Sequence, residues 1–169
     1  TDPAGMEIDL WVRSKEQNTN NFPPFETFVH LCWDEVTGDK EKEPHPMEKK
    51  AFESLKTFSE HNFVRKRIWQ TDKLHCNIYC FEPGQQNSLH RHPVSDEVVF
   101  CLEGEGIVVV GTEQQSVKAG ETVLVPMNTP HGYINTSLDR RMIISVIQCP
   151  LPVEHVPVEP GNVSRLISS

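Results

Sequence analysis

Four side chains in this sequence have the types and spacing to share one divalent metal ion: His90, His92, Glu97 and His131. In a β-strand, residues i and i+2 project from the same face. His90 and His92 therefore stand side by side, with α-carbons about 6.5 Å apart. That separation lets two imidazoles converge on one ion. Glu97 follows His92 after Pro93, Val94, Ser95 and Asp96. Pro93 suits a turn and cannot donate to a ladder. A turn there returns Glu97 on the next strand, opposite the histidines. His131 must arrive from a third strand, which only a fold can deliver. Three neutral imidazoles and a carboxylate suit Mn, Fe, Co, Ni or Zn. A purely structural zinc site more often closes with thiolates. Six-coordinate, the ion would keep two positions for water, oxygen or substrate, as a metalloenzyme requires.

The surrounding residues repeat a known pattern. Gly84 is followed by five residues, His90-Arg91-His92, four residues, Glu97, six residues and Gly104. A second block runs Gly120, five residues, Pro126, then His131 and Asn135. Both blocks are similar to the two signature motifs of the cupins, and the chain resembles that superfamily over residues 84–135, extended by flanking strands to 63–150. It departs at Asn128, where the pattern usually has glycine. Asn tolerates a left-handed backbone, and no ligand is touched. The resemblance implies an all-β double-stranded β-helix, a jelly-roll barrel, holding one metal through His90, His92, Glu97 and His131.

The elements needed to position these residues can be read from the chain. Period-two patterns mark strands at Phe63–Trp69, Leu74–Glu82, Glu97–Leu102, Ile107–Val110, Gln115–Lys118, Glu121–Pro126 and Arg140–Cys149. Glycine turns at Gly104–Gly106 and Gly111–Thr112 separate them. Along Leu74–Glu82, one face carries Leu74, Cys76, Ile78 and Cys80, the other His75, Asn77, Tyr79 and Phe81. Parity leaves open which face looks inward. If the second does, His75 and Tyr79 become candidate catalytic acids or bases, against the plainer reading of satisfied structural groups. Parity from the ligands adds Ser88, Val99 and Cys101 to the wall. Asn135 is expected to fix a loop rather than touch substrate.

Three segments follow in domain terms. Residues 1–62 form an N-terminal arm with one short helix at 47–59, where Ala51, Phe52, Leu55 and Phe58 share a helical face. Residues 63–150 form the barrel. Residues 151–169, rich in proline, form an extended C-terminal tail. Ile8–Val12 permits a strand, and Phe25–Trp33 is apolar enough to pack. Such arms in the resembled family often cross a partner subunit, so a homodimer is expected, the alternative being an arm wrapped on its own barrel.

Bulk properties narrow the function. The chain has 169 residues with 16 Lys+Arg against 24 Asp+Glu, a formal net charge of −8. The sharpest basic cluster, Arg65-Lys66-Arg67, reads as a solvated strand edge, so nucleic acid and anionic membrane are poor partners. Five cysteines follow no disulfide or CxxC spacing, which suits reduced thiols in a cytoplasm. The longest apolar run, Val98–Leu102, is far short of a membrane span, and the polar start lacks a signal-peptide core. Met6 reads as the native start. No Ser-His-Asp arrangement or phosphate-cradling loop is present, so any chemistry belongs to the metal. The resemblance implies a mononuclear dioxygenase, with Fe(II) favoured, acting on a small organic substrate. Its alternatives are a Lewis-acid isomerase or lyase, oxidation at Mn, or a non-catalytic binding barrel.

Overall fold

The protein is described from a computed structural model that defines residues 46–167. The Ile8–Val12 strand, the Phe25–Trp33 segment and Cys32 lie outside the described residues. From Lys49 onward the chain forms one compact unit. In chain order its strands are β1 (Val64–Gln70), β2 (His75–Phe81), β3 (Ser88–Arg91), β4 (Asp96–Glu103) and β5 (Glu105–Val110). They continue as β6 (Glu113–Lys118), β7 (Thr122–Val125), β8 (His131–Ile134), β9 (Met142–Cys149) and β10 (Val156–Asn162), before a single helical turn, α1 (Ser164–Ile167).

The strands make two five-stranded antiparallel sheets, ordered β1-β2-β9-β4-β7 and β10-β3-β8-β5-β6. Together they form the expected all-β jelly roll. The inward faces meet in a core of Tyr79, Phe81, Val99, Cys101, Val108, Val117, Val125, Tyr133, Met142, Ile144 and Val146. This resolves the open parity of β2: Asn77, Tyr79 and Phe81 look inward. The opposite face, Cys76, Ile78 and Cys80, packs outside the barrel with Ile68 and Ile143, under Leu55 and Phe58. Cys76, Cys80, Cys101 and Cys149 are all unpaired. No helix among the described residues is long and apolar enough to cross a membrane.

The covering segment corrects one expectation. Instead of a helix over 47–59 there is a single 3₁₀ turn, Phe52–Ser54, followed by irregular chain. Helical spacing would have put Phe52 on the same face as Leu55 and Phe58, yet Phe52 is exposed. The backbone is instead tied down by separate tertiary contacts. Lys50 Nζ donates to the Ile68 carbonyl at 2.6 Å, Lys66 Nζ donates to Thr57 Oγ1, and Lys56 pairs with Glu103. A strap that follows the sheet satisfies all three, and a helix this short has little intrinsic stability to set against them.

Within the 151–169 tail, Val156–Asn162 pairs antiparallel with β3 and closes one edge of the second sheet. Pro157 lies opposite His90. An edge strand tolerates proline because its outer N–H has no ladder partner to lose.

Two motif glycines differ in what holds them. Gly84 and Gly104 both have positive φ, 76° and 75°. A Cβ at Gly84 meets nothing within 4 Å, whereas one at Gly104 collides with the Arg141 carbonyl. Gly84→Ala is therefore expected to cost about 1 kcal/mol, the left-handed strain alone. Gly104→Ala is expected to cost about 3 kcal/mol, because backbone must also move. Chemical denaturation of both variants checks the order, and equal losses would refute the steric account.

Candidate metal centre

Two strands deliver the imidazoles, β3 with its continuation and β8. His90 on β3 is the register partner of His131 on β8, and His92 follows His90 by two residues just beyond the strand. All three are buried. Their ring centroids are 4.3 Å (His90–His131), 4.9 Å (His90–His92) and 5.1 Å (His92–His131) apart. One ring nitrogen from each lies within 4.8 Å of the others, close enough to share an ion.

The other ring nitrogens are all committed to backbone carbonyls. His90 Nδ1 is 2.7 Å from the Ser88 carbonyl, His92 Nδ1 is 2.5 Å from that of Glu154, and His131 Nδ1 is 2.9 Å from that of Thr129. A carbonyl can only accept, so each Nδ1 carries the proton and each Nε2 presents its lone pair. Metal-ligating histidines are oriented by this kind of bond. His131 Nε2 is fully buried and has no hydrogen-bond partner. An orphaned lone pair in a dry interior is costly, and a cation at the centre of the three rings would satisfy it. The residues present fit a divalent metal.

Glu97 joins them from β4. Its Oε2 is 3.2 Å from His92 Nε2 and its Oε1 3.6 Å from His131 Nε2. The carboxylate also accepts from the Tyr133 hydroxyl and, at 2.6 Å, from Gln148 Nε2. Burial alone would raise its pKa. The neighbouring His131, His92 and Tyr133 outweigh burial and hold it well below the usual carboxylate range. Burial, with His131 close by, pushes His90 down to about 3. For His92 burial opposes protonation, but Glu97 and the Glu154 carbonyl outweigh it and raise its pKa. The fold thus supplies an ionised carboxylate beside an unprotonated His90, part of the state a metal needs.

Sequence reasoning missed Gln148, Tyr133 and His155. Gln148 is cross-strand from Glu97 and from His75, and its Nε2 also lies 2.9 Å from His92 Nε2. Its signal was a lone amide on the core face of an otherwise apolar strand. Tyr133 is two residues after His131, so parity already placed it beside the ligands. His155 stacks on His90 with centroids 3.9 Å apart and planes 13° apart. No local pattern announced it, because a sharp return of the chain brings it there.

The remaining candidates separate. Tyr79 is buried in the core beside Tyr133, at 6.4 Å between centroids. Burial, then the charge of Glu97, raise its pKa and keep the phenol protonated. His75 sits half-buried at the start of β2, and burial, then Arg67 and Arg65, lower its pKa. Val99 and Cys101 line the interior as expected, but Ser88 is exposed. The β3–β10 register shifts alongside it, and Ser88 serves the site only through its carbonyl. Asn135 does fix a loop: it exchanges backbone bonds with Gly84 and Gln85, and its Nδ2 donates to the Arg140 carbonyl at 2.7 Å. Asn128 adopts φ 61°, the conformation for which the motif usually has glycine.

Two measurements test the geometry. His92→Ala is expected to weaken metal binding by more than about 100-fold, and Gln148→Leu by about 10-fold through loosened Glu97. Equilibrium dialysis with elemental analysis reads both, and unchanged metal content in His92→Ala would remove that residue from the site. In metal-free protein, Glu97 and His90 both have depressed pKa values, so both stabilise above their ordinary pKa and lose this as pH falls. His92, raised, acts in the opposite sense with a single group. Net stability of the metal-free protein is therefore expected to fall from pH 6.5 toward 3, read by denaturation midpoints.

Comparison with known proteins agrees with this geometry. Residues 77–147 match the family model described as a cupin domain. A solved structure from Thermus thermophilus, TT1209, is 30% identical, covering 63% of this chain and 100% of that one, with a TM-score of 0.60. A Klebsiella pneumoniae protein with a double-stranded β-helix domain is 18% identical over 68% of this chain and 99% of its own, with a TM-score of 0.63. The uncharacterized protein MJ1618 of Methanocaldococcus jannaschii is 40% identical over 48 residues, 28% of this chain and 38% of that protein, so the match spans well under half of that relative. With both motifs folded into one jelly roll around three converging imidazoles, residues 77–147 of the chain form a cupin domain.

Proposed function

We propose that this cupin is a metal-dependent enzyme, a mononuclear non-haem dioxygenase acting on a small organic substrate. The observation that carries the reading is the convergence of three Nε2 lone pairs, one of them buried without a partner, beside an ionised carboxylate. His90, His92, His131 and Glu97 would hold the ion, with Fe(II) favoured. When bound, it would supply open coordination positions and Lewis acidity to substrate and oxygen.

The protein's own groups do the rest. The backbone carbonyls of Ser88, Thr129 and Glu154 hold the rings in one tautomer. Gln148 and Tyr133 hold the carboxylate, each donating to a different oxygen. Val99, Val146 and Ile144 keep water from the floor of the site. The stack of His155 on His90 covers one imidazole face.

A second reading is an isomerase or lyase that uses the metal only as a Lewis acid. It is favoured by the phenols of Tyr79 and Tyr133, which stay protonated and lie on the inward faces of β2 and β8. Such a group can hand a proton to a developing anion. In this reading Tyr79, and His75 at the rim, are the proton-transfer candidates.

Anaerobic reconstitution with Fe(II), followed by oxygen uptake over a panel of diketones, ring diols and carboxylates, tests both. Uptake coupled to substrate loss is expected. Substrate conversion without oxygen would establish the second reading, and full metal occupancy with no turnover would leave a binding barrel.

A further inference from the structure

The basic cluster on β1 does more than protect a sheet edge. Arg65 pairs in register with Tyr79, and Arg67 with Asn77. Directly cross-strand residues share a face, so both arginines rise from the same side as the inward residues of β2. Lys66 and Ile68 take the opposite, strap-covered side. Arg65 and Arg67 are exposed. They sit where the open edge of the first sheet borders the interior.

Their positions are tied to the metal centre. Arg67 Nε donates to Asn77 Oδ1 at 2.8 Å, Asn77 Nδ2 donates to Gln148 Oε1 at 3.2 Å, and Gln148 Nε2 donates to Glu97. Arg67 Nη1 also donates to Gln70 Oε1 at 2.7 Å. These bonds fix the guanidinium yet leave part of its five-donor fork open. Arg65 stands directly cross-strand from Tyr79, which is buried in the core beside Tyr133. Among the described residues neither arginine has a carboxylate partner, while Lys56, Lys73, Lys118 and Arg141 each do. In a chain of net charge −8, two unpaired guanidiniums on one face beside a buried site form a local positive field.

We propose that Arg65 and Arg67 form an anion-recognising rim, and that the substrate is a small carboxylate. Its carboxylate is held by the arginines while its other end faces the imidazoles. This deepens the metal-enzyme reading and rests on it only for the identity of the far end. The spacing fits: β1 and β4 are three strands apart, about 14 Å, and an extended arginine covers roughly half of that. The remainder suits a chain of about four to six bonds. Arginine pairs with carboxylates through two parallel N–H···O bonds, which fixes orientation as well as charge.

Calorimetric titration of the metal-loaded full chain with succinate and glutarate, and with their uncharged diamides, tests the rim. The acids are expected to bind at least about tenfold tighter than the diamides. The double variant R65Q/R67Q is expected to lose that advantage when compared at full metal loading, with metal content and melting temperature read alongside. R65K/R67K, which keeps charge without the fork, is expected to retain part of it. Equal affinity in wild type and R65Q/R67Q, or equal affinity for acid and diamide, would leave the arginines as edge protection only and overturn the proposal. The two readings fail separately. Arginine-dependent succinate binding in H92A, once its metal is lost, keeps the rim whatever the metal does. Absence of acid selectivity in the wild-type chain at full metal content removes the rim and leaves the metal centre intact.

Discussion

Three hydrogen bonds between imidazole Nδ1–H groups and backbone carbonyls set the rest of this site. A free imidazole exchanges tautomers and rotates, so its two nitrogens are interchangeable. Here each ring has one nitrogen spent on a carbonyl of fixed position. The second nitrogen then has one direction left, and the three directions meet. Two of those carbonyls, of Ser88 and Thr129, lie two residues before the histidine they hold. The third, of Glu154, comes from the far end of the chain. The site is therefore as rigid as the backbone that carries it, rather than as loose as three exposed side chains.

Around that arrangement the sheet register places a carboxylate that would otherwise be too costly to bury. An ionised glutamate in an apolar interior is disfavoured by several kcal/mol unless its oxygens are satisfied. Glu97 has Tyr133 on one oxygen and Gln148 on the other, with two imidazoles alongside. Both donors come from neighbours decided by strand pairing: Gln148 stands opposite Glu97 across β4 and β9, and Tyr133 is one pleat from His131 on β8. The same register carries the network outward through Asn77 to Arg67. Arg67 at the β1 edge is thus connected by hydrogen bonds to a group beside the imidazoles.

The C-terminal segment has a part that its composition hides. Prolines and a lack of apolar periodicity make it look peripheral. Yet the Glu154 carbonyl orients His92, His155 covers His90, and β10 pairs with the strand that bears His90. Ser95 Oγ ties the same segment by donating to the Pro150 carbonyl at 2.7 Å. Closing the barrel edge and orienting a ligand are here one structural act.

Much of this was legible in the residues themselves. His90 and His92 share a face because a strand alternates, and the turn at Pro93 returns Glu97. Asn128 stands in a left-handed position because its short amide tolerates one. The grouping of His90, His92, Glu97 and His131 and the jelly roll are legible in motif spacing together with period-two patterns. Other features were decided only in three dimensions. Which face of β2 looks inward depends on what covers the other face, and the strap of residues 50–58 settles it. That strap was misread as a helix because apolar spacing records which residues are buried, not whether separate anchors hold an irregular chain in place. Gln148, Glu154 and His155 join the site through contacts with Glu97, His92 and His90 that lie far away along the chain, for which a linear sequence has no local sign. Arg65 and Arg67 carry the same lesson: charge on an edge strand is visible in the chain, but its direction is set by register.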